Sequence, residues 1–146
     1  MALFEDVFEV TEIDKEGKRF DGVSRIECRG DEHEDVQLSL DYNSEIYSLK
    51  IGNKFDFVLR TSLSDNLETI NNDNEWIPNK KIPLLDKYEY VMYGKIFRIQ
   101  NTKKDVEIYA SFGGLLLMLK GDANNFDKLG IDKRLYLLIR KNNNIP

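Results

Sequence analysis

Apolar and polar residues alternate with a period of two in segment after segment of this chain, and that period admits few architectures. Successive side chains of an extended strand point to opposite faces, so the alternation marks strands with one buried face and one wet face. Val36, Leu38, Leu40 and Tyr42 alternate with Gln37, Ser39 and Asp41. Phe55, Phe57, Leu59 and Thr61 alternate with Lys54, Asp56 and Arg60, with Val58 the one apolar intruder. Ser24, Ile26 and Cys28 take one face, and Arg25, Glu27 and Arg29 take the other. One-faced strands of this kind belong to antiparallel sheets.

Further strands are predicted over Phe4 to Ile13, Glu89 to Ile99, Asp105 to Phe112, Leu115 to Lys120 and Arg134 to Arg140, which brings the set to about eight. Asn101-Thr102-Lys103-Lys104 is a predicted hairpin turn, and the Gly113-Gly114 and Gly121-Asp122 pairs are predicted tight turns. No segment sustains a helical period, although Asn43 to Leu49 has room for a short helical turn. Residues 62–87 hold both internal prolines and the run Asn71-Asn72-Asp73-Asn74, and are predicted to form a long mobile loop, with Trp76 available to pin it onto the barrel. Residues 141–146 are predicted to fray, and no internal repeat is visible. Many short strands joined by tight turns suit a closed barrel, because closure removes exposed sheet edges. The chain is predicted to be a single all-β domain over residues 1–146, an OB-like antiparallel Greek-key barrel. Periodicity alone leaves its strand order open.

Composition narrows function. The formal charge of −5 has the wrong sign for a protein that must neutralise phosphates over a broad face. A single cysteine, Cys28, excludes an internal disulfide and a zinc site built on cysteines, and suits a reducing compartment. Met1 to Asp6 is acidic where a secretory leader is basic, and the aliphatic run Leu115 to Leu119 is far shorter than the roughly 20 residues of a membrane span. An intracellular protein with no membrane partner is expected.

The residues that carry chemistry elsewhere form no working set here. His33 is the sole histidine and lies in the acidic run Asp31-Glu32-His33-Glu34-Asp35; this run reads as a solvated loop before it reads as a weak cation site. Asp41, Asn43 and Glu45 open like a calcium loop, but Ile46 and Gly52 occupy the places that need glycine and glutamate. Gly113-Gly114 runs into aliphatic residues and lacks the lysine and hydroxyl of a phosphate cradle. No catalytic residue, metal or cofactor is assigned, and a non-enzymatic role is expected.

One strand is apolar on both faces. Val91, Tyr93 and Phe97 share one side with Lys95, while Tyr90, Met92 and Ile96 share the other. Such a strand is either sandwiched in the core or docked on a partner. Aromatics beside lysine and arginine on a barrel strand also allow single-stranded nucleic acid to stack there, which is the alternative reading of the chain as an autonomous binding module.

The same segment carries a resemblance. Tyr90-Val91-Met92-Tyr93-Gly94 precedes Ser111-Phe112-Gly113-Gly114-Leu115-Leu116, then Gly121-Asp122-Ala123-Asn124-Asn125, then Tyr136-Leu137-Leu138-Ile139-Arg140. With Leu3-Phe4-Glu5-Asp6-Val7-Phe8 and the stretch from Lys18 to Arg25, the motifs run in order from end to end. In these the chain closely resembles the small subunit shared by eukaryotic nuclear RNA polymerases I, II and III, the eighth subunit counted in polymerase II. The resemblance implies an eight-stranded OB-like barrel without catalytic residues, docked on the largest subunit away from the nucleic-acid path, in nucleoplasm and nucleolus. It singles out Tyr90, Met92, Tyr93, Gly94, Phe112, Gly113, Gly114 and Leu116 as candidate interface residues. It does not separate those that face the core from those that face a partner.

Overall fold

The computed structural model describes residues 2–18, 20–63 and 83–142. Its eight strands are β1 (Ala2–Ile13), β2 (Val23–Gly30), β3 (Gln37–Asn43), β4 (Lys54–Arg60), β5 (Tyr90–Asn101), β6 (Val106–Phe112), β7 (Leu115–Gly121) and β8 (Arg134–Lys141). All pairings are antiparallel, and the sheet closes in the order β1-β2-β3-β7-β6-β5-β8-β4. A Greek key places a fourth strand beside the first of three consecutive hairpin strands. This order contains that unit twice, as β4-β1-β2-β3 and β8-β5-β6-β7, joined along the β3–β7 and β4–β8 seams. The all-β barrel expected from alternation is therefore present, and its Greek-key return is doubled. No sequence repeat marks the doubling, because topology needs only matched strand lengths and turns.

The predicted inward residues fill the barrel. Ile26, Leu38, Leu40, Phe55, Phe57 and Leu59 are buried, as are Val36 and Tyr42. Each large apolar side chain so placed contributes roughly 1.5–3 kcal/mol through lost hydration. Phe8 meets Phe57 edge-on at 5.2 Å, and Phe4 meets Phe126 at 5.4 Å. Phe126 ends a short 3-10 helix, Ala123–Phe126, which plugs one end of the barrel with the help of Leu129. Asp122 caps this helix by accepting the Asn124 N–H at 2.9 Å. Among the described residues, every buried side-chain nitrogen and oxygen has a hydrogen-bond partner.

Several expectations change. Thr61, placed with the inward set, lies beyond β4 and is exposed. Val58 points outward but is only 6% exposed, because Leu138 packs beside it under Ala2, Leu63, Tyr88, Val91 and Tyr136. The outer face of the β4–β8 seam is thus a second, smaller apolar cluster. Gly121 is not a turn residue: it ends β7, where a Cβ would meet Val36 Cγ2 at 3.0 Å. The span expected as a loop ends in a short helix, α1 (Pro83–Lys87), while residues 64–82, Trp76 among them, lie outside the described residues. Lys141 and Asn142, expected to fray, are held: Lys141 belongs to β8, and the Asn142 N–H donates to the Lys54 carbonyl at 2.8 Å. Residues 143–146 lie outside the described residues. No helix among the described residues is long and apolar enough to cross a membrane.

Candidate interface on the outer face of the barrel

β5 separates its two apolar faces cleanly. Tyr90 and Ile96 are buried, while Tyr93 and Phe97 are each 49% exposed. Tyr90 is a core residue whose hydroxyl accepts the Asn43 N–H at 2.9 Å and donates to Met92 Sδ at 3.3 Å. Its ring stacks on Tyr47 at 5.4 Å. Met92 is half-buried against the same core. Phe112 is only 5% exposed and also belongs to the core. Of the eight residues singled out in the sequence, these three therefore act from inside the barrel.

The three glycines shape backbone. Gly94 lies where β5 passes β6, and a Cβ there would run into the Ser111 carbonyl and would stand 2.6 Å from the Phe112 ring. Gly113 and Gly114 form the β6–β7 hairpin tip with φ of 64° and 99°, left-handed backbone that other residues rarely adopt. Only Tyr93 and Leu116 present large exposed side chains, and they sit on either side of this tip.

The outward surface that Tyr93 begins is wider than the sequence motif. The Tyr93 ring lies 4.5 Å from Tyr136, its cross-strand neighbour on β8. Phe97 lies 6.3 Å from Tyr109 of β6, and the Arg98 guanidinium sits 5.5 Å over the Tyr109 ring. Tyr109 carries no mark in the sequence beyond its odd place in the alternation, and Tyr136 only heads one of the motifs of the resemblance, so strand register is what sets the one beside Arg98 and the other beside Tyr93. Past β6, Leu116 and Met118 line an open groove of about 340 Å³ with Tyr109, Phe20, Arg25 and Asp41. Asp41 closes the groove floor: its carboxylate takes Arg25 in two hydrogen bonds, at 2.6 and 3.1 Å, and accepts the Leu116 N–H at 3.1 Å. The hydrogen bonding of the Arg25 guanidinium to Asp41 is the main reason the Arg25 pKa stands above its ordinary value. Burial raises the Tyr136 hydroxyl pKa, and the neighbouring Tyr93 adds to the rise.

Away from this face, Asp6, Glu32 and His33 bring ligand-type atoms within 4.8 Å of one another. The Asp6 carboxylate is fully engaged, accepting N–H groups of Val7, Glu32 and His33 at 2.7, 2.9 and 3.0 Å and lying 3.0 Å from His33 Nδ1. The acidic run is thereby clasped onto β1 through His33, while Asp31, Glu32, Glu34 and Asp35 remain exposed.

The comparisons with known proteins agree with the motif order. The family described as RNA polymerase Rpb8 matches residues 5–141. A Dictyostelium discoideum protein named DNA-directed RNA polymerases I, II, and III subunit rpabc3 is 45% identical over 141 residues, covering 95% of this chain and 96% of that one. The Arabidopsis thaliana DNA-directed RNA polymerases II, IV and V subunit 8B is 41% identical over 145 residues, covering 97% of each chain. The Saccharomyces cerevisiae subunit RPABC3 of polymerases I, II, and III is 35% identical over 148 residues, covering 96% and 98%. A barrel whose core, hairpin tip and outward tyrosines all fall within that match belongs to the RNA polymerase Rpb8 family.

Proposed function

We propose that this chain is a non-catalytic subunit common to DNA-directed RNA polymerases I, II and III, that it docks on the largest subunit, and that it supports assembly during DNA-templated RNA synthesis. The family match over residues 5–141 carries this reading. The outward row Tyr93, Tyr136 and Phe97 supports a docked role, since two of its members are about half exposed on a strand that the core alone does not require to be aromatic. Exposed apolar patches rimmed by polar groups are the usual mark of protein contact. Work in all three polymerases places the chain in the nucleus, in nucleoplasm and nucleolus alike.

Affinity purification of the tagged chain tests the reading. The expected result is near-stoichiometric recovery of subunits of all three polymerases, with recovery reduced by Tyr93→Ala. Recovery of the chain without any polymerase subunit overturns it. A second reading draws on the Arg98–Tyr109–Phe97 stack, an arrangement that also suits single-stranded nucleic acid. Tight, salt-sensitive retention of single-stranded DNA by the purified chain in a filter-binding titration favours that alternative. The formal charge of −5 argues against it.

A further inference from the structure

Asp21-Gly22 is the only place in the chain where aspartate or asparagine precedes glycine. The pair fills the centre of the turn that leads into β2, closed by the Val23 N–H on the Phe20 carbonyl at 3.3 Å. That bond is longer than the roughly 2.7–3.2 Å of a good N–H···O contact. Glycine is hard to replace here: Gly22 has φ of 76°, and a Cβ on it would stand 2.9 Å from Glu45 Oε1. Asp21 is exposed, and its carboxylate has no hydrogen-bond or ion-pair partner among the described residues. The Gly22 N–H has no acceptor among them either, while its carbonyl accepts the Ser44 N–H at 2.9 Å. Two other aspartates at positive φ differ in both respects. Asp14 accepts the Arg25 N–H at 2.9 Å and precedes Lys15; Asp132 pairs with Lys95 at 3.3 Å and precedes Lys133.

We propose that Asp21-Gly22 is a site of isoaspartate formation in the folded chain, and that the product is a substrate for a carboxyl methyltransferase using S-adenosylmethionine. The Gly22 nitrogen attacks Cγ of the neutral Asp21 carboxyl, and the absence of a side chain on Gly22 leaves that approach unhindered. The N–Cγ bond forms, the Cγ–OH bond breaks, and the hydroxyl leaves with the amide proton as water. Water then reopens the cyclic imide. Addition at Cγ restores aspartate. Addition at the former peptide carbonyl breaks its bond to the Gly22 nitrogen, so the main chain runs through Cβ and Cγ and the α-carboxylate is left free. The methyltransferase moves a methyl group from the sulfonium to that carboxylate, releasing S-adenosylhomocysteine, and loss of methanol re-forms the imide. The cycle needs only water and the methyl donor. The lengthened backbone falls ahead of β2, whose pairing with β3 starts at Val23 opposite Asn43. Phe20, 70% exposed, walls the groove that Leu116 and Met118 line, so conversion shifts that wall and leaves the buried side chains of β2 in place.

The test is prolonged warm incubation of the purified full chain at neutral pH, natively and in urea. Purified protein isoaspartate methyltransferase with radiolabelled S-adenosylmethionine then reads methyl acceptance, and peptide mapping locates the label. Label is expected to rise with incubation time in the native chain, on the peptide containing Asp21 and Gly22. Asp21→Glu, which would have to close a larger ring, is expected to lose it. Asp21→Asn, which forms the same imide by losing ammonia, is expected to gain it several-fold faster. Both replace an exposed side chain without a described partner, so both are expected to keep the parent's circular dichroism. Equal labelling of Asp21→Glu places the acceptor elsewhere and overturns the proposal. Label that appears in urea and not in the native chain shows that the turn blocks ring closure, and overturns it equally, as does its absence from both.

Discussion

Neighbouring residues of one motif have opposite duties here, and their energetics separate them. Phe112 fills the core, so Phe112→Ala removes a buried ring and leaves a cavity, an expected loss of about 3–5 kcal/mol. Tyr93 is 49% exposed, so Tyr93→Ala is expected to change stability by no more than about 0.5–1 kcal/mol, the difference being lost contact with Tyr136. Urea denaturation of the two variants checks the contrast. At the far end of β5, the Tyr47 hydroxyl donates to Glu89 at 2.5 Å, and the Lys141 N–H donates to the same carboxylate oxygen at 2.8 Å. The Tyr47 bond is the main reason Glu89 titrates below its ordinary value of 4.5. Burial in turn lifts the Tyr47 phenol, with Glu89 adding to the rise. A carboxylate with a lowered folded pKa contributes stability that is fully present above its unfolded value and is lost as pH falls through the folded one. Tyr47→Phe is therefore expected to flatten the loss of stability below pH 4.5 while leaving its neutral-pH shape unchanged, as read by thermal melts across an acid series. Glu89 is exposed, so the effect is small and screened by salt.

Among elements, the β6–β7 hairpin shows how far residues announce their structure. Two glycines between alternating strands predict a tight turn, and both adopt positive φ. Nothing lies within 4 Å of a Cβ built at Gly113, so backbone conformation alone restricts that site. Asparagine tolerates left-handed backbone and valine does not. Gly113→Asn is thus expected to fall within about 0.5 kcal/mol of the parent, and Gly113→Val to lose about 1–2 kcal/mol, by chemical denaturation. Gly94 gives the opposite lesson. Its sequence context resembles any strand glycine, and only the crossing of Phe112 shows that the space is filled. β5 as a whole was half legible: alternation divided Tyr90, Met92 and Ile96 from Tyr93 and Phe97, but two apolar faces look alike until closure turns one inward. The short helix α1 was not legible, since five residues opening on a proline leave no helical period to detect. Val58 broke the alternation for a reason lying far along the chain, in Leu138 and Tyr88.

At the scale of the molecule, the doubled Greek key makes each half incomplete. The first unit, β4-β1-β2-β3, ends in two strands whose outer edges are covered by the second unit, β3 by β7 and β4 by β8. Alone it would expose two sheet edges and the inner face that carries Phe8, Phe55, Phe57 and Leu40. The second unit is in the same position, with Leu117, Leu119, Leu137 and Ile139 uncovered. The seams also carry polar ties: Arg140 of β8 donates to Asp56 of β4 at 2.7 Å, and the Leu116 N–H of β7 reaches Asp41 of β3. Because one core is shared, unfolding is expected to be a single cooperative transition, with near-ultraviolet and far-ultraviolet circular dichroism melting together. Cutting the chain once between Leu63 and Pro83 separates the units without breaking either one. Each fragment alone is expected to lack near-ultraviolet circular dichroism, and the mixed fragments to regain it with the single transition of the intact barrel. A native-like signal from either fragment by itself would show that a four-stranded unit closes its own core, and would make the two seams a contact between domains.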